Sequence, residues 1–466
     1  MLPYSRGPLG WLQGAQKIER RTMHGRLEGG GLGCTLHDPF GKTIMSINRR
    51  NMMMGPVAFP LAARAAALPK GGAARSDDEA YWASIAAQYD VTSQVIQLEN
   101  GNWGIMARPV LAAYERAIER VNRENSFYAR RTMEQDLLAV RARVASALGV
   151  ATDEIALTRN ATEALRALIE GYTKLRPGDA VLYADLDYDS MQGYVEGLRA
   201  RRGVEVTRIA LPEPATWQGL IDAYAQALEA NPRIKLILLT HLSHRTGLVL
   251  PVREITALAR AKGVDVILDA AHSWGQIDFS FPGLGVDFAG FNLHKWMGAP
   301  LGVGVAYVRK TRVRDIDVDP ANGGGEADDL QARVHTGTPD YAAQLTVPDA
   351  IAFQETIGAG PRAARLKLLR NRWVEPLRQV DALQILTPAD SRLSGGITSF
   401  RFKGKGSRAD NIAIAKQLLD EFGIFSVHRV GVAAGCCVRI TPALFTTLDQ
   451  VDALAVALRT IAARMV

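Results

Sequence analysis

Val264-Asp-Val-Ile-Leu-Asp269-Ala-Ala-His272, and after it Phe291-Asn292-Leu-His294-Lys295-Trp-Met-Gly298, are the segments that decide how this chain is read. The first is a run of β-branched and apolar residues ending in an acid. That is the pattern of a buried central strand that delivers a carboxylate to the edge of a sheet. The second brings a Lys into a turn walled by Phe291, Leu293, Trp296 and Met297, which would strip water from the amine and lower its pKa. Val303-Gly-Val-Ala-Tyr-Val308 reads as the next strand, so Lys295 lies in a Gly-rich strand–turn–strand. Open α/β sheets place ligands outside the carboxyl ends of their strands, and both residues fall there.

Outward from this stretch, strands alternate with amphipathic helices, the mark of a mostly parallel sheet covered on both faces. Glu154–Thr158, Gly178–Tyr183 and Lys235–Thr240 read as strands. After Thr158, apolar residues at Ala161, Ala164, Leu165, Leu168, Ile169 and Tyr172 fall on one face of a helix. Helical patterns over Asp349–Ile357 and Arg362–Val380 lead to a smaller unit that begins near Ser394 and ends in a helix over Leu448–Val466. The expected organisation is a leader over 1–75, a segment over 76–115 serving the site and the small domain, a large domain over 116–345 and a small α+β domain over 346–466.

Composition excludes several classes. The net charge is +7, yet the first 75 residues hold 11 Lys/Arg and 3 Asp/Glu, leaving 44 basic against 45 acidic residues in the rest. A neutral body argues against nucleic-acid binding. Three cysteines, Cys34 and the adjacent Cys436 and Cys437, offer neither a disulfide framework nor a metal-ligand spacing. Residues 1–44 read as disordered. Within 45–74, Arg49-Arg50 before a short uncharged apolar run reads as a twin-arginine export signal, too short to span a bilayer. Use of that signal implies a periplasmic protein, and otherwise a cytoplasmic one.

An amine and a carboxylate so placed are what pyridoxal phosphate requires: a Lys for its aldehyde and an acid against its pyridine nitrogen. Lys295 and Asp269 take these parts, and Ala270-Ala271 leave room for a flat ring. The phosphate needs amides at a helix N-terminus, which Ala161 and Thr162 would supply, with Asn292 and His294 beside them. Tyr188, after the strand that ends at Ala184, is placed to stack on the ring. A dinucleotide fold is the structural rival, but no GxGxxG follows an early strand.

Taken in order, these motifs resemble the class V aminotransferases of pyridoxal-phosphate fold type I, with a large domain built on a seven-stranded, mostly parallel sheet. The resemblance covers about Leu98–Val466. Thr158-Arg-Asn-Ala161-Thr162-Glu resembles the phosphate turn, and His241-Leu-Ser243-His244-Arg-Thr-Gly247 the HxSN-x-x-G segment. Asp269-Ala-Ala-His272 resembles the acid motif and His294-Lys295 the pair that carries the cofactor. His335-Thr-Gly337-Thr338-Pro339 resembles the loop that reaches a partner subunit's phosphate. Arg439 falls on the strand whose Arg binds the substrate carboxylate.

The resemblance implies catalytic roles for Lys295, Asp269 and His272, cofactor contacts from Ser243 and Thr338, and a homodimer with its active sites at the interface; residue spacing and segment lengths lead to the further expectation of no metal and no membrane insertion. Leu98–Met106 and Asn125–Arg131 look most like the isopenicillin N epimerase branch, which makes Asn102, Trp103 and Arg130 substrate contacts. Epimerisation of an amino-acid-like compound is therefore the leading expectation, with Tyr128, His244 or His272 as a second acid. Transamination and carbon–sulfur cleavage stand as alternatives, and a cofactor-binding scaffold without turnover as the non-enzyme one. Cys436 and Cys437 lie two and three residues beyond the place of the desulfurase thiol.

Overall fold

Chain-order alternation of strand and helix builds a seven-stranded sheet in the computed structural model, which describes residues 75–322 and 328–465 together with the backbone of a strand pair in the leader. The sheet strands are β1 (Ile155–Thr158), β2 (Ala180–Ala184), β3 (Glu205–Ile209), β4 (Ile234–Thr240), β5 (Asp265–Asp269), β6 (Phe288–Asn292) and β7 (Gly304–Val308). Their spatial order is β1-β7-β6-β5-β4-β2-β3, and only β7 runs antiparallel to its neighbours. The central strands are buried along their whole length except at Lys235 and Asp265 near the amino ends of β4 and β5, which is why they read as near-continuous apolar runs. The edge strand β3, Glu-Val-Thr-Arg-Ile, is half exposed and carries no such run.

Helices cover both faces. α1 (Glu79–Ala86), α2 (Arg108–Arg131) and α3 (Met133–Leu148) precede β1; α4 (Ala161–Gly171), α5 (Asp189–Arg202), α6 (Trp217–Ala230) and α7 (Val252–Ala261) alternate with strands. α8 (Tyr341–Leu345), α9 (Val347–Ile357) and α10 (Ala359–Val374) lead out of this layer. The helical pattern expected to reach Val380 stops at Val374, because Pro376 has no N–H to continue the ladder; a 3₁₀ turn over Glu375–Leu377 follows.

The smaller layer is an antiparallel sheet ordered β8-β9-β11-β10, from β8 (Leu383–Ile385), β9 (Thr398–Phe402), β10 (Val427–Arg429) and β11 (Cys437–Ile440). Helices α11 (Arg408–Phe422) and α12 (Leu448–Ala463) pack with it around Trp373, Phe400, Phe402, Leu418 and Leu458, all essentially inaccessible.

The segment before α2 joins this layer. Ile96–Gln97 pairs in parallel with Ile424–Phe425, and the Thr441 amide donates to Leu98 O at 2.8 Å. Thr441 Oγ1 accepts from the Asn100 amide at 2.7 Å, and the Asn100 side chain donates to Thr441 O at 2.8 Å, two bonds that bridge 341 residues of sequence. Gly104 donates to His294 O, and a Cβ at Gly104 would fall 2.0 Å from Lys295 O, so only glycine lets this strap lie on the Lys turn.

Gly33–His37, within the stretch 1–44 read above as disordered, pairs antiparallel with Thr43–Asn48. The twin arginines Arg49 and Arg50 lie outside the described residues. No helix among the described residues is long and apolar enough to cross a membrane.

Candidate active site

A cleft of about 410 Å³ opens at the carboxyl ends of β4, β5 and β6 and is closed from the other side by β10, β11 and the strap. Asp269 is the last residue of β5. Its carboxylate is buried and accepts from the Ala271 amide at 2.9 Å. Burial pushes its pKa up, against the pull of that amide and of Lys295. A buried carboxylate with a single backbone donor suits a cationic partner in the cleft, and a protonated pyridine nitrogen is one.

Lys295 lies on the turn between β6 and β7. Its Nζ stands 2.9 Å from His272 Nε2, and the indole N–H of Trp296 donates to His272 Nδ1 at 3.2 Å. Burial, with the charge of Arg439 next, brings the Lys295 amine down to about 8, while Asp269 acts the other way. Burial, then Lys295, holds His272 well below the usual imidazole range. His244 is depressed in the same sense by burial and by Arg245. The rings form a row: His244 stacks towards His272 at 6.4 Å, and Tyr188 meets His244 edge-on at 5.2 Å.

At the other end of the cleft, Asn160 caps α4 by accepting from the Glu163 amide at 2.8 Å, and Thr162 lines the wall beside it. Of the two amides assigned to a phosphate, that of Ala161 is already donated to Asn292 Oδ1 at 2.8 Å. Asn292 therefore fixes the helix start, which leaves Thr162 to face an anion. His294 also lines the cleft, its Nδ1 3.1 Å from Val303 O. The residues present fit the cofactor: an amine of lowered pKa, a buried acid, and a capped helix N-terminus within one cavity large enough for it.

Several expected residues lie elsewhere. Ser243 is fully buried and accepts from the amides of Arg245 and Thr246, so it closes the turn after β4 rather than lining the cleft. Trp103 is 54% exposed and Arg130 is exposed on the last turn of α2; neither lines the cleft, although Asn102 does. Tyr128, a candidate acid, is buried with its hydroxyl on Asp136 at 2.8 Å and Arg120 over its ring. Thr338 is exposed on the loop before α8, away from this cleft.

Four groups were not foreseen. Glu99 on the strap pairs with Arg439, Nη2 to Oε1 at 2.5 Å, while Arg439 Nη1 donates to His244 O at 2.7 Å. The guanidinium assigned to substrate thus already holds an internal carboxylate, and burial lowers its pKa to about 10. Arg429 lines the cleft with its Nη2 3.6 Å from the same Glu99 oxygen. Asp187 accepts from Thr240 (amide 2.9 Å, hydroxyl 2.6 Å) and from the Ala184 amide at 2.7 Å, tying the end of β2 to that of β4. Arg245, wholly buried, pairs with Asp189 and with Asp185 O. An acidic run after a strand and an Arg after a turn were visible in the sequence, but their partners were not.

Neither described cysteine lines the cleft. Cys437 is buried on β11 with its thiol pushed up to about 11, first by burial, and Cys436 is half-buried. Among the described residues no cluster of His, Cys, Asp or Glu could hold a metal ion.

Comparison with known proteins agrees with this geometry. The family model "Aminotransferase class-V" matches residues 108–454. An isopenicillin N epimerase of Streptomyces clavuligerus is 27% identical over 81% of this chain and 97% of that protein. An L-cysteine desulfhydrase of Arabidopsis thaliana is 26% identical over 61% of this chain and 67% of that protein. A cysteine desulfurase from Thermococcus onnurineus superimposes with a TM-score of 0.69 at 20% identity, covering 81% of this chain and 97% of the other, a likeness that shows the fold. With Lys295 and Asp269 meeting in one cleft of such a fold, the chain belongs to the class V aminotransferase family and is an enzyme that works with pyridoxal phosphate.

Proposed function

We propose that this enzyme epimerises the α-carbon of an amino-acid-like substrate. Epimerisation needs two separate groups, one to take the α-proton and one to return a proton to the other face. The pair Tyr188 and His244 carries the reading: ring against ring at 5.2 Å on the cleft wall, they are titratable groups separate from the amine of Lys295. The span of the match to the epimerase relative supports it as well.

Pyridoxal phosphate, held by Lys295, Asp269, Thr162 and the α4 terminus, supplies an electron-withdrawing ring that weakens the bonds at the α-carbon of an amino acid joined to it. Arg439 and Arg429 set the substrate's orientation. Two guanidinium groups against the single Glu99 carboxylate leave one positive charge, which matches one substrate carboxylate. Lys295, uncharged above about pH 8, takes the α-proton as general base. Tyr188, more exposed than the buried imidazoles and edge-on to His244, returns one. The strap and β10 keep water from the reacting centre. Thr338, on an exposed loop, serves the neighbouring site in a homodimer.

A second reading, carbon–sulfur cleavage, is favoured by the desulfhydrase relative. Because no described thiol lines the cleft, it would proceed without a protein persulfide. The test is to incubate the loaded enzyme with a panel of L-amino acids in deuterium oxide. Deuterium at the α-carbon together with accumulation of the D-enantiomer is the expected result. Keto acid formation would replace the proposal with transamination, and sulfide release with lyase chemistry. Response of the visible band without any exchange would leave only a binding protein.

A further inference from the structure

Trp296, His272 and Lys295 share a hydrogen-bond chain whose direction follows from its first member. An indole N–H donates and never accepts. Trp296 Nε1 lies 3.2 Å from His272 Nδ1, so that nitrogen must present its lone pair. A neutral imidazole with a bare Nδ1 carries its hydrogen on Nε2, which is the nitrogen 2.9 Å from Lys295 Nζ. An N–H facing Nζ requires the amine to accept, and an ammonium has no lone pair to accept with.

We infer that Trp296 is a positioning residue that sets the His272 tautomer and thereby keeps Lys295 as a free amine, ready for an aldehyde, with an imidazole N–H directed at it. The backbone at Trp296 is held for this purpose. Gly275, at φ +91°, lies so close that a Cβ there would fall 2.7 Å from the Trp296 carbonyl carbon. The Trp296 ring is 9% exposed and packs against His272 at 6.5 Å between centroids. Two states are excluded together: the imidazolium, and the Nδ1–H tautomer that would accept a proton shared by a Lys295 ammonium.

The charged and titratable groups around the pair come from every side. Arg439 and Arg429 face it from the small sheet, Glu99 from the strap, Asp269 from β5 and His244 from the turn after β4. Trp296→Phe leaves all of them in place but removes ring bulk together with the donor, so the His272 nitrogen resonances, read beside the Lys295 midpoint, report the indole N–H. The inference concerns protonation in the resting site and holds whichever reaction at the α-carbon the enzyme performs.

The test uses the full-length chain labelled with [¹⁵N]histidine and [ε-¹³C]lysine, both loaded with pyridoxal phosphate and stripped of it. Resonances are assigned with His272→Gln and Lys295→Ala. In the wild type, His272 is expected to show an unprotonated Nδ1 and a protonated Nε2 above the Lys295 midpoint of about pH 8. In stripped Trp296→Phe, loss of a buried hydrogen bond should make the Lys295 ammonium roughly five- to tenfold easier to form, moving its midpoint upward by about one pH unit. A proton on Nδ1 in the wild type above that midpoint would overturn the inference, and that arm requires no variant to fold. A Lys295 midpoint that is unchanged or lower in Trp296→Phe would overturn it too.

Discussion

Removing the carboxylate of Glu99 should cost more than any surface ion pair. Its partner Arg439 is 1% exposed and Glu99 itself 8% exposed at the side chain. Deleting one member of a buried pair costs about 3–5 kcal/mol, because the remaining charge stays desolvated. Here the penalty is sharpened, since Arg439 Nε has no partner and Arg429 brings a second cation to the same carboxylate. Glu99→Ala should therefore lower the unfolding free energy by about 3–5 kcal/mol. Glu99→Gln keeps the shape and one acceptor, and should lose about 1–3 kcal/mol. Urea unfolding of the wild type, Glu99→Gln, Arg439→Gln and the double variant, followed by circular dichroism, closes a double-mutant cycle. The reasoning requires a coupling of about 2 kcal/mol; a value below about 0.5 kcal/mol would refute it, since that is the size seen for sites that do not interact.

Other outcomes follow from the same geometry. Lys295→Ala should abolish the visible absorption and the borohydride-trapped phosphopyridoxyl adduct, while the far-ultraviolet dichroism stays at the wild-type level. The Lys295 ammonium must lose a proton before its amine attacks an aldehyde. Loading of the stripped protein, followed by stopped flow, should thus quicken roughly tenfold per unit below about pH 8 and level off above it. Asp187→Asn turns an amide NH₂ towards a donor among Thr240 and the Ala184 amide, and should destabilise the protein by about 1–3 kcal/mol in the same urea assay. Joint replacement of Cys436 and Cys437 by Ala should leave turnover within about threefold; a hundredfold loss would show a sulfur acting at the site after all.

What the sequence disclosed was what neighbouring residues settle among themselves. Asp269 and Lys295 were legible because an apolar run ending in an acid, and a Lys walled by aromatics, are local patterns. α4 was legible from its apolar spacing, while the cap that Asn160 gives it was not read. The edge strand Glu205–Ile209 escaped notice because half of its side chains meet water and its five residues carry no buried run. Glu99, Arg429 and Arg245 escaped for a different reason: each acquires its meaning from a partner brought close only by the tertiary fold. Trp103 and Arg130 were assigned to substrate from likeness of pattern, but both face solvent in this chain. Ser243 and Ala161 were given to the cofactor, and their polar atoms are spent on a turn and on Asn292.

The bonds between Thr441 and Leu98–Asn100 bear on how the chain is made. A ribosome releases Glu99 early, long before Arg439 and Thr441 emerge, and until then the acid has neither its cation nor its strand. The seven-stranded sheet, complete by Val308, is free to close while the last quarter of the chain is still being synthesised. A nascent chain arrested ahead of residue 439 would thus own the cofactor's amine and acid yet lack one wall. The part that grips the vitamin is finished first, and the wall that carries Arg429 and Arg439 is sewn on at the end.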